Sequence, residues 1–358
     1  MKVLNPKKIL IMKFRNIGDV LLITPLIKNL KLQFPNALID VAVNHGTQDM
    51  VTLNQNINDV IIYDRDSIKK LSLVKRSIAE LKFAYTLRNK QYDMVINTTK
   101  GDRGAQLALF SGARIKIGYG GTKNILTKNV FTHILPSQGL RHTIETNLDV
   151  LPVLGLDIRE KRVEIFWDKE DEVDVPKKFI HIHPVSRWLF KCINDKTMAE
   201  IIDYVEEELC LKVVLTAAPV AEELEKIDSI LNLCHSTPIN MSGKLTLKQT
   251  AALNKKASFF IGVDTAIMHI SAANDVPVLA FFGPSGADHW GPWDNDKMES
   301  EYTTRRGYRS MGKHRVIQEN WECVPCGQDG CDGTKISDCL MRLNIEFIKK
   351  NIKELIHD

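Results

Sequence analysis

Asp264, Thr265 and His269 sit in one short stretch, FFIGVDTAIMHISAANDVPVLAFFGPSG at 259–286, in which His269 follows Thr265 by one helical turn. An apolar run ends at Gly262-Val263, and a second, Val278 to Phe282, stops at Gly283-Pro284-Ser285. The pattern predicts strand, tight turn, short helix, strand and loop, with both strands continuously apolar as a buried parallel sheet requires. A helix that starts at the carboxyl edge of such a sheet offers unpaired N–H groups to anions, with phosphate the favoured guest. The same residue types also serve as an ordinary N-cap (Asp264 or Thr265) and a satisfied surface histidine.

Complementary groups lie on other loops. The turn His183–Lys191 (HPVSRWLFK) brings a hydroxyl donor, Ser186, and a cation able to neutralise a diphosphate, Lys191, with Arg187 as an assistant. A solvated basic loop is the competing interpretation, set against the two aromatics Trp188 and Phe190 beside it. Glu222 and Glu223 fall at a helix start, where a carboxylate accepts ribose hydroxyls or merely complements the helix dipole. In the N-terminal half the catalytic candidate is Asp19, delivered by the turn RNIGD after the first strand, with Gly18 leaving room for a ligand near the backbone. Asp is also a good N-cap there. No G-x-G-x-x-G follows that strand, which argues against a dinucleotide.

Two clusters are less directional. Arg305, Arg306 and Arg309, with Lys313, His314 and Arg315, form a basic run suited to an anionic acceptor, to lipid headgroups, or simply to solvent. Cys323, Cys326, Cys331 and Cys339 have C-x2-C-x4-C-x7-C spacing, compatible with a structural zinc, reduced thiols or an adventitious disulfide.

These groups need a scaffold that brings loop ends together. Strand patterns at Lys8–Phe14, Ala37–Val43, Asp59–Tyr63, Tyr92–Asn97 and Ile115–Tyr119 alternate with helical ones at Val20–Phe34, about Ile68–Lys90 and Ala105–Ser111. A helix over His142–Leu154 precedes a charged segment, 159–177, broken by Pro176, which is the natural linker. A second series follows: strand Phe179–His183, helix Asp195–Glu208, strand Lys212–Thr216, helices Ala221–Leu233 and Leu247–Lys255, then the stretch at 259–286. Two α/β Rossmann-like halves are expected, with ligands at the carboxyl edges of both sheets and a cleft between them. An amphipathic helix over Ile345–Ile356 closes the chain.

Composition agrees. The chain of 358 residues has room for two cores, and 44% hydrophobic with 26% charged residues describes an ordinary globular protein. A net charge of +4 does not identify a nucleic-acid binder. No run is long and apolar enough for a transmembrane helix, and Lys13 and Arg15 break the N-terminal apolar run as no signal peptide would. Seven cysteines do not form a secreted disulfide framework, so a cytoplasmic location is expected.

Taken together, FRNIGDVLLITPLIKNLK after the first strand, HPVSRW-LFK, and GVDTAIMHISAA…FFGPS resemble the lipopolysaccharide heptosyltransferases over nearly the whole chain. Within that family VNHGT at 43–47, TKGDR at 99–103, RWLFKC at 187–192 and CVPCGQDGC at 323–331 are most similar to the heptosyltransferase III branch. The resemblance implies a GT-B fold of two facing Rossmann-like domains: an acceptor domain at 1–170, a donor domain at 171–342, and a C-terminal helix at 343–358 packing back on the first. It implies transfer of heptose from ADP-L-glycero-D-manno-heptose to the lipopolysaccharide inner core, without a metal or other cofactor, at the cytoplasmic face of the inner membrane. Residue by residue, it makes Asp19 the general base and Ser186 and Lys191 the phosphate contacts. Glu222 or Glu223 becomes the ribose carboxylate, and Asp264, Thr265 and His269 the wall beside the diphosphate. Leu245 falls where the family packs an apolar residue on adenine. Val185-Ser186 in place of paired hydroxyls and Ala266 in place of a glycine depart from the family pattern. A GT-B transferase with another nucleotide sugar, or a silent nucleotide-binding scaffold, are the competing functions.

Overall fold

The computed structural model describes residues 4–121 and 127–357. The chain divides into two compact units, Met1–Gly139 with Thr143–Phe166, and Leu140–His142 with Trp167–Asp358.

The first unit contains strands β1 (Lys8–Lys13), β2 (Leu38–Asn44), β3 (Asp59–Tyr63), β4 (Met94–Asn97), β5 (Ile115–Gly118) and β6 (His133–Ile134), all parallel, in the order β3-β2-β1-β4-β5-β6. This is the Rossmann order, and it reverses between β1 and β4. β1 is KILIMK because it lies in mid-sheet with helices on both faces; only Lys8, at its start, is exposed. The predicted helix Val20–Phe34 is two helices, Ile17–Leu21 and Thr24–Gln33, because Pro25 lacks an N–H and fits only the first turn of a new helix. Part of the expected linker instead lines this unit. Buried Asn29 accepts from Arg159 N and Glu160 N and donates to Glu160 O, pinning the segment onto helix Thr24–Gln33.

The second unit repeats the plan with β7 (Phe179–His183), β8 (Lys212–Leu215), β9 (Ile239–Asn240), β10 (Phe259–Val263), β11 (Val278–Phe282), β12 (Arg309–Met311) and β13 (His314–Gln318). The order is β12-β13-β11-β10-β7-β8-β9, parallel except for the β12–β13 hairpin, with its reversal between β7 and β10. The hairpin replaces the basic loop expected there. The terminal helix Ile345–His357 buries Ile348, Ile352 and Leu355 with Ile201, Ile202 and Val205 in this unit's own core. The apolar stripe of this helix, expected to face the first domain, is taken up by the core of the second unit.

Candidate functional site

In the second unit the order reversal sets the ends of β7 and β10 side by side, with Gly262 opposite His183. A Cβ on Gly262 would stand 2.7 Å from His183 O, so only glycine permits this approach. Below the edge, a buried network holds the strands in register. His181 Nε2 and His183 Nδ1 meet Thr216 Oγ1 at 2.7 and 2.9 Å, and Asn254 Nδ2 bonds His181 Nδ1 and Ser271 Oγ. Burial drives the pKa of both histidines down, His183 to about 4, so both are neutral at pH 7.

Beyond β7 the chain makes a single 3₁₀ turn, Leu189–Lys191, which carries the Lys191 ammonium to the end of β10. There Lys191 Nζ donates to Asp264 Oδ2 at 2.6 Å, and Ser285 Oγ donates to the same oxygen at 2.5 Å. Burial raises the Asp264 pKa, but Lys191 and the two hydrogen bonds more than offset this and hold the carboxyl below its ordinary value. Ser285 is itself fixed from behind. Gln318 Nε2 donates to Gly283 O and Ser285 O, and Gln318 Oε1 accepts from Arg309.

Thr265 stands at the N-cap of helix Ala266–Ala273, yet its side chain makes no capping bond. Its Oγ1, and Nδ1 of His269 one turn later, are buried without a hydrogen-bond partner among the described residues. Such groups are costly to bury unless something completes them, so both are suited to a polar ligand at this helix start. Burial lowers the His269 pKa to about 4 despite Asp264 nearby. His269 is therefore a neutral ring at pH 7, and the cation at this edge is Lys191. Buried Ser186 accepts from Trp188 N through its Oγ, which leaves its O–H to donate. The structure separates the two glutamates: Glu223 is buried and accepts from Ala218 N, closing its loop, while Glu222 is exposed at the helix start. Leu245 lies half-buried against Phe179, Val214 and Leu253.

In the first unit, Asp19 is buried in helix Ile17–Leu21 beside Gly18, and the residue at the N-cap is Asn16. Asp19 Oδ1 lies 3.8 Å from Nζ of Lys13, the last residue of β1. That ammonium also donates to Asn147 Oδ1 at 3.2 Å and Thr98 O at 3.5 Å. Burial lowers the Lys13 pKa to about 8, against the opposing pull of Asp19. A cleft of about 550 Å³ lies at the ends of β4 and β5, lined by Lys100, Asp102, Tyr119 and Ser137 among others.

Residues 80–317 match the family described as glycosyltransferase family 9 (heptosyltransferase). The chain belongs to that family. Lipopolysaccharide heptosyltransferase 3 of Escherichia coli K12 is 34% identical over 294 residues, 79% of this chain and 84% of the relative. Among solved structures, a family 9 glycosyltransferase from Veillonella parvula superposes with a TM-score of 0.78 at 22% identity, covering 99% of this chain and 98% of that one. The Escherichia coli heptosyltransferase WaaC, solved with ADP, gives 0.73 at 17% identity, covering 97% and 99%. The fold is the GT-B one, two Rossmann-like α/β units.

In this family 9 chain the structure brings Ser186, Lys191, Asp264, Thr265 and His269 to one sheet edge, but it does not keep the basic run together as a ligand surface. Arg309 is buried, its guanidinium donating to Thr304 O, Arg305 O and Gln318. Arg306 donates to Trp321 O and Glu322 O. Arg309 is thus corrected from acceptor contact to scaffold, and of the three arginines Arg305 is exposed and Arg306 half-buried. The four cysteines do not ligate together either: among the described residues no group of three or more His, Cys, Asp or Glu is disposed to hold a metal ion. Cys339 is buried in the core cluster, and burial together with the neighbouring thiols pushes its pKa to about 12.

Three contributors escaped sequence reasoning. Lys13 lay inside an apolar strand pattern, where a lysine as the last strand residue before a G-D turn was the available signal. Ser285 was visible only as part of a Gly-Pro-Ser loop. Gln318 carried no local signal, since its role depends on the β11–β13 pairing that sets it opposite Phe282.

Proposed function

We propose that this glycosyltransferase moves L-glycero-D-manno-heptose from ADP-heptose to the inner core of lipopolysaccharide, as the third heptose, with inversion at the anomeric carbon. The observation that carries it is the ion pair of Lys191 with Asp264 at a helix start whose Thr265 and His269 have buried atoms unpartnered among the described residues. That arrangement suits a diphosphate. Support for the nucleotide and sugar comes from the heptosyltransferase 3 relative and from the structural neighbour solved with ADP.

In this mechanism the leaving group is ADP. Charge grows on its β-phosphate as the bond to the anomeric carbon breaks, and Lys191, the Ser186 hydroxyl and the N–H groups at the start of helix Ala266–Ala273 stabilise it. His269 contributes an uncharged hydrogen bond. Glu222, the exposed acid, meets the ribose, while Glu223 holds the loop from which it extends. Leu245 lies against the adenine. Asp19 accepts the proton of the acceptor hydroxyl as it attacks from the face opposite the diphosphate.

The test is transfer by purified protein to lipopolysaccharide truncated at successive core sugars, with ADP-heptose, UDP-glucose and GDP-mannose offered separately. Heptose incorporation with ADP-heptose alone is expected. Transfer from a UDP- or GDP-sugar without turnover of ADP-heptose would replace the donor assignment.

A further inference from the structure

Helix Leu73–Asn89 in the first unit carries two apolar stripes, and the sheet uses only one. Phe83, Ala84 and Leu87 face inward and join the core around Phe14 and Tyr63. Val74, Ile78, Leu81 and Tyr85 recur at i, i+4, i+7 and i+11, which places them on one face roughly 140° around the axis from the first stripe. That face is open: Val74 is 72% exposed, Ile78 48%, Leu81 59% and Tyr85 65%. Leu73 beside it is also exposed, and Phe110 of the next helix extends the patch across a shallow groove of about 470 Å³ between Ile78, Leu81, Tyr85 and Arg88. Scattered surface apolars are ordinary, but a continuous helical stripe of this kind marks an interaction surface.

Charge identifies the partner. Between Lys69 and Lys90 the sequence has seven Lys and Arg residues and one acid, Glu80. Glu80 points away from the exposed stripe, accepting from Arg103 Nη2 and from the Tyr63 hydroxyl at 2.7 Å. Lys75 and Lys82 flank one side of the stripe and Arg88 the other, and Lys75, Lys82 and Arg88 are all exposed. Neither Lys75 nor Lys82 makes an ion pair among the described residues. An apolar ridge bordered by cations, its only acid turned inward, is complementary to an anionic bilayer: apolar tips below the headgroups, ammonium and guanidinium groups among the phosphates. No helix of the described residues is long and apolar enough to cross a membrane, so contact through this face is attachment to the surface.

We propose that helix Leu73–Asn89 docks the protein on anionic phospholipid membranes, with Val74, Ile78, Leu81 and Tyr85 entering the interface and Lys75, Lys82 and Arg88 holding the headgroups. This stands on the surface itself and not on the identity of the donor. The experiment is co-sedimentation of the full chain with phosphatidylglycerol–phosphatidylcholine vesicles and with phosphatidylcholine vesicles, at low and high salt. The wild type is compared with an apolar variant (Ile78→Ser, Leu81→Ser, Tyr85→Ser) and a charge variant (Lys75→Glu, Lys82→Glu). Size-exclusion chromatography with light scattering is run on each. The expected result is wild-type binding to the anionic vesicles that weakens with salt and falls at least about tenfold in both variants, which remain folded and keep the wild-type oligomeric state. Three results overturn the proposal: variants that bind as well as wild type, equal wild-type binding to uncharged vesicles, or a wild-type dimer that the apolar variant converts to a monomer.

Discussion

Lys191 and Asp264 stand 73 residues apart in the chain and 2.6 Å apart in space. The pairing is a consequence of topology. Only a sheet whose order reverses between β7 and β10 sets the loops after those two strands next to each other. It also divides the labour between the two residues: the carboxylate is mostly buried and already occupied by Lys191 and Ser285, whereas the ammonium remains partly open to a ligand.

Lys191→Ala should therefore do two things. ADP affinity, measured by calorimetry, should fall by at least about tenfold as the cation facing the phosphates is lost. The fold should also weaken by about 1–3 kcal/mol, because Asp264 is left as an uncompensated buried charge, discounted for the partial exposure of Lys191. Adding Asp264→Asn removes that charge. The double variant should recover much of the stability and none of the ADP affinity. Recovery of ADP binding in the double variant would show that Lys191 serves only to neutralise Asp264.

Asp19→Asn should leave ADP affinity nearly intact and lower turnover by about two or more orders of magnitude. In the proposed mechanism Lys13, 3.8 Å from Asp19, would act on the same proton transfer through it. Below its lowered pKa of about 8 it is a cation beside that carboxyl group. Lys13→Met should lower kcat about tenfold with a smaller change in KM, whereas Lys13→Arg, which keeps the cation beside Asp19, should retain most of the rate. An equal loss of rate in Lys13→Arg and Lys13→Met would assign Lys13 a packing role instead.

The frame of this protein was readable because its strands advertise themselves. Phe179–His183 and Val278–Phe282 are apolar on consecutive residues between polar turns, and periodicity finds such segments reliably. The sheet edge proposed for the donor was readable for a related reason, since Ser186, Lys191 and Asp264 each follow a recognisable strand. The β12–β13 hairpin was not. Arg309, Lys313, His314 and Arg315 read as a basic surface, and nothing local shows that Arg309 turns inward to Gln318 and the carbonyls of Thr304 and Arg305. The terminal helix showed its apolar stripe but not its partner: Ile348 and Ile352 fit any complementary surface, and only the folded chain shows that Ile201 and Val205 provide it.

The buried histidines give the second unit a characteristic response to acid. His181, His183 and His269 all lie at or below the edge that holds Lys191 and Asp264, and burial lowers the pKa of each, to about 4 for His183 and His269. In the unfolded chain the same rings titrate near 6.5. Between these values the unfolded state binds more protons than the folded one, so stability rises with pH across this interval and is complete above about 6.5. It should be lost as pH falls from 6.5 towards 4, by on the order of 3 kcal/mol for each of His183 and His269. Thermal melts between pH 7 and 4.5 should show a steep fall in Tm below pH 6. His269→Gln, which cannot titrate, should flatten that fall. A Tm constant from pH 7 to 4.5 would mean that these rings titrate in the folded protein as they do in the unfolded chain, and that burial does not hold them neutral.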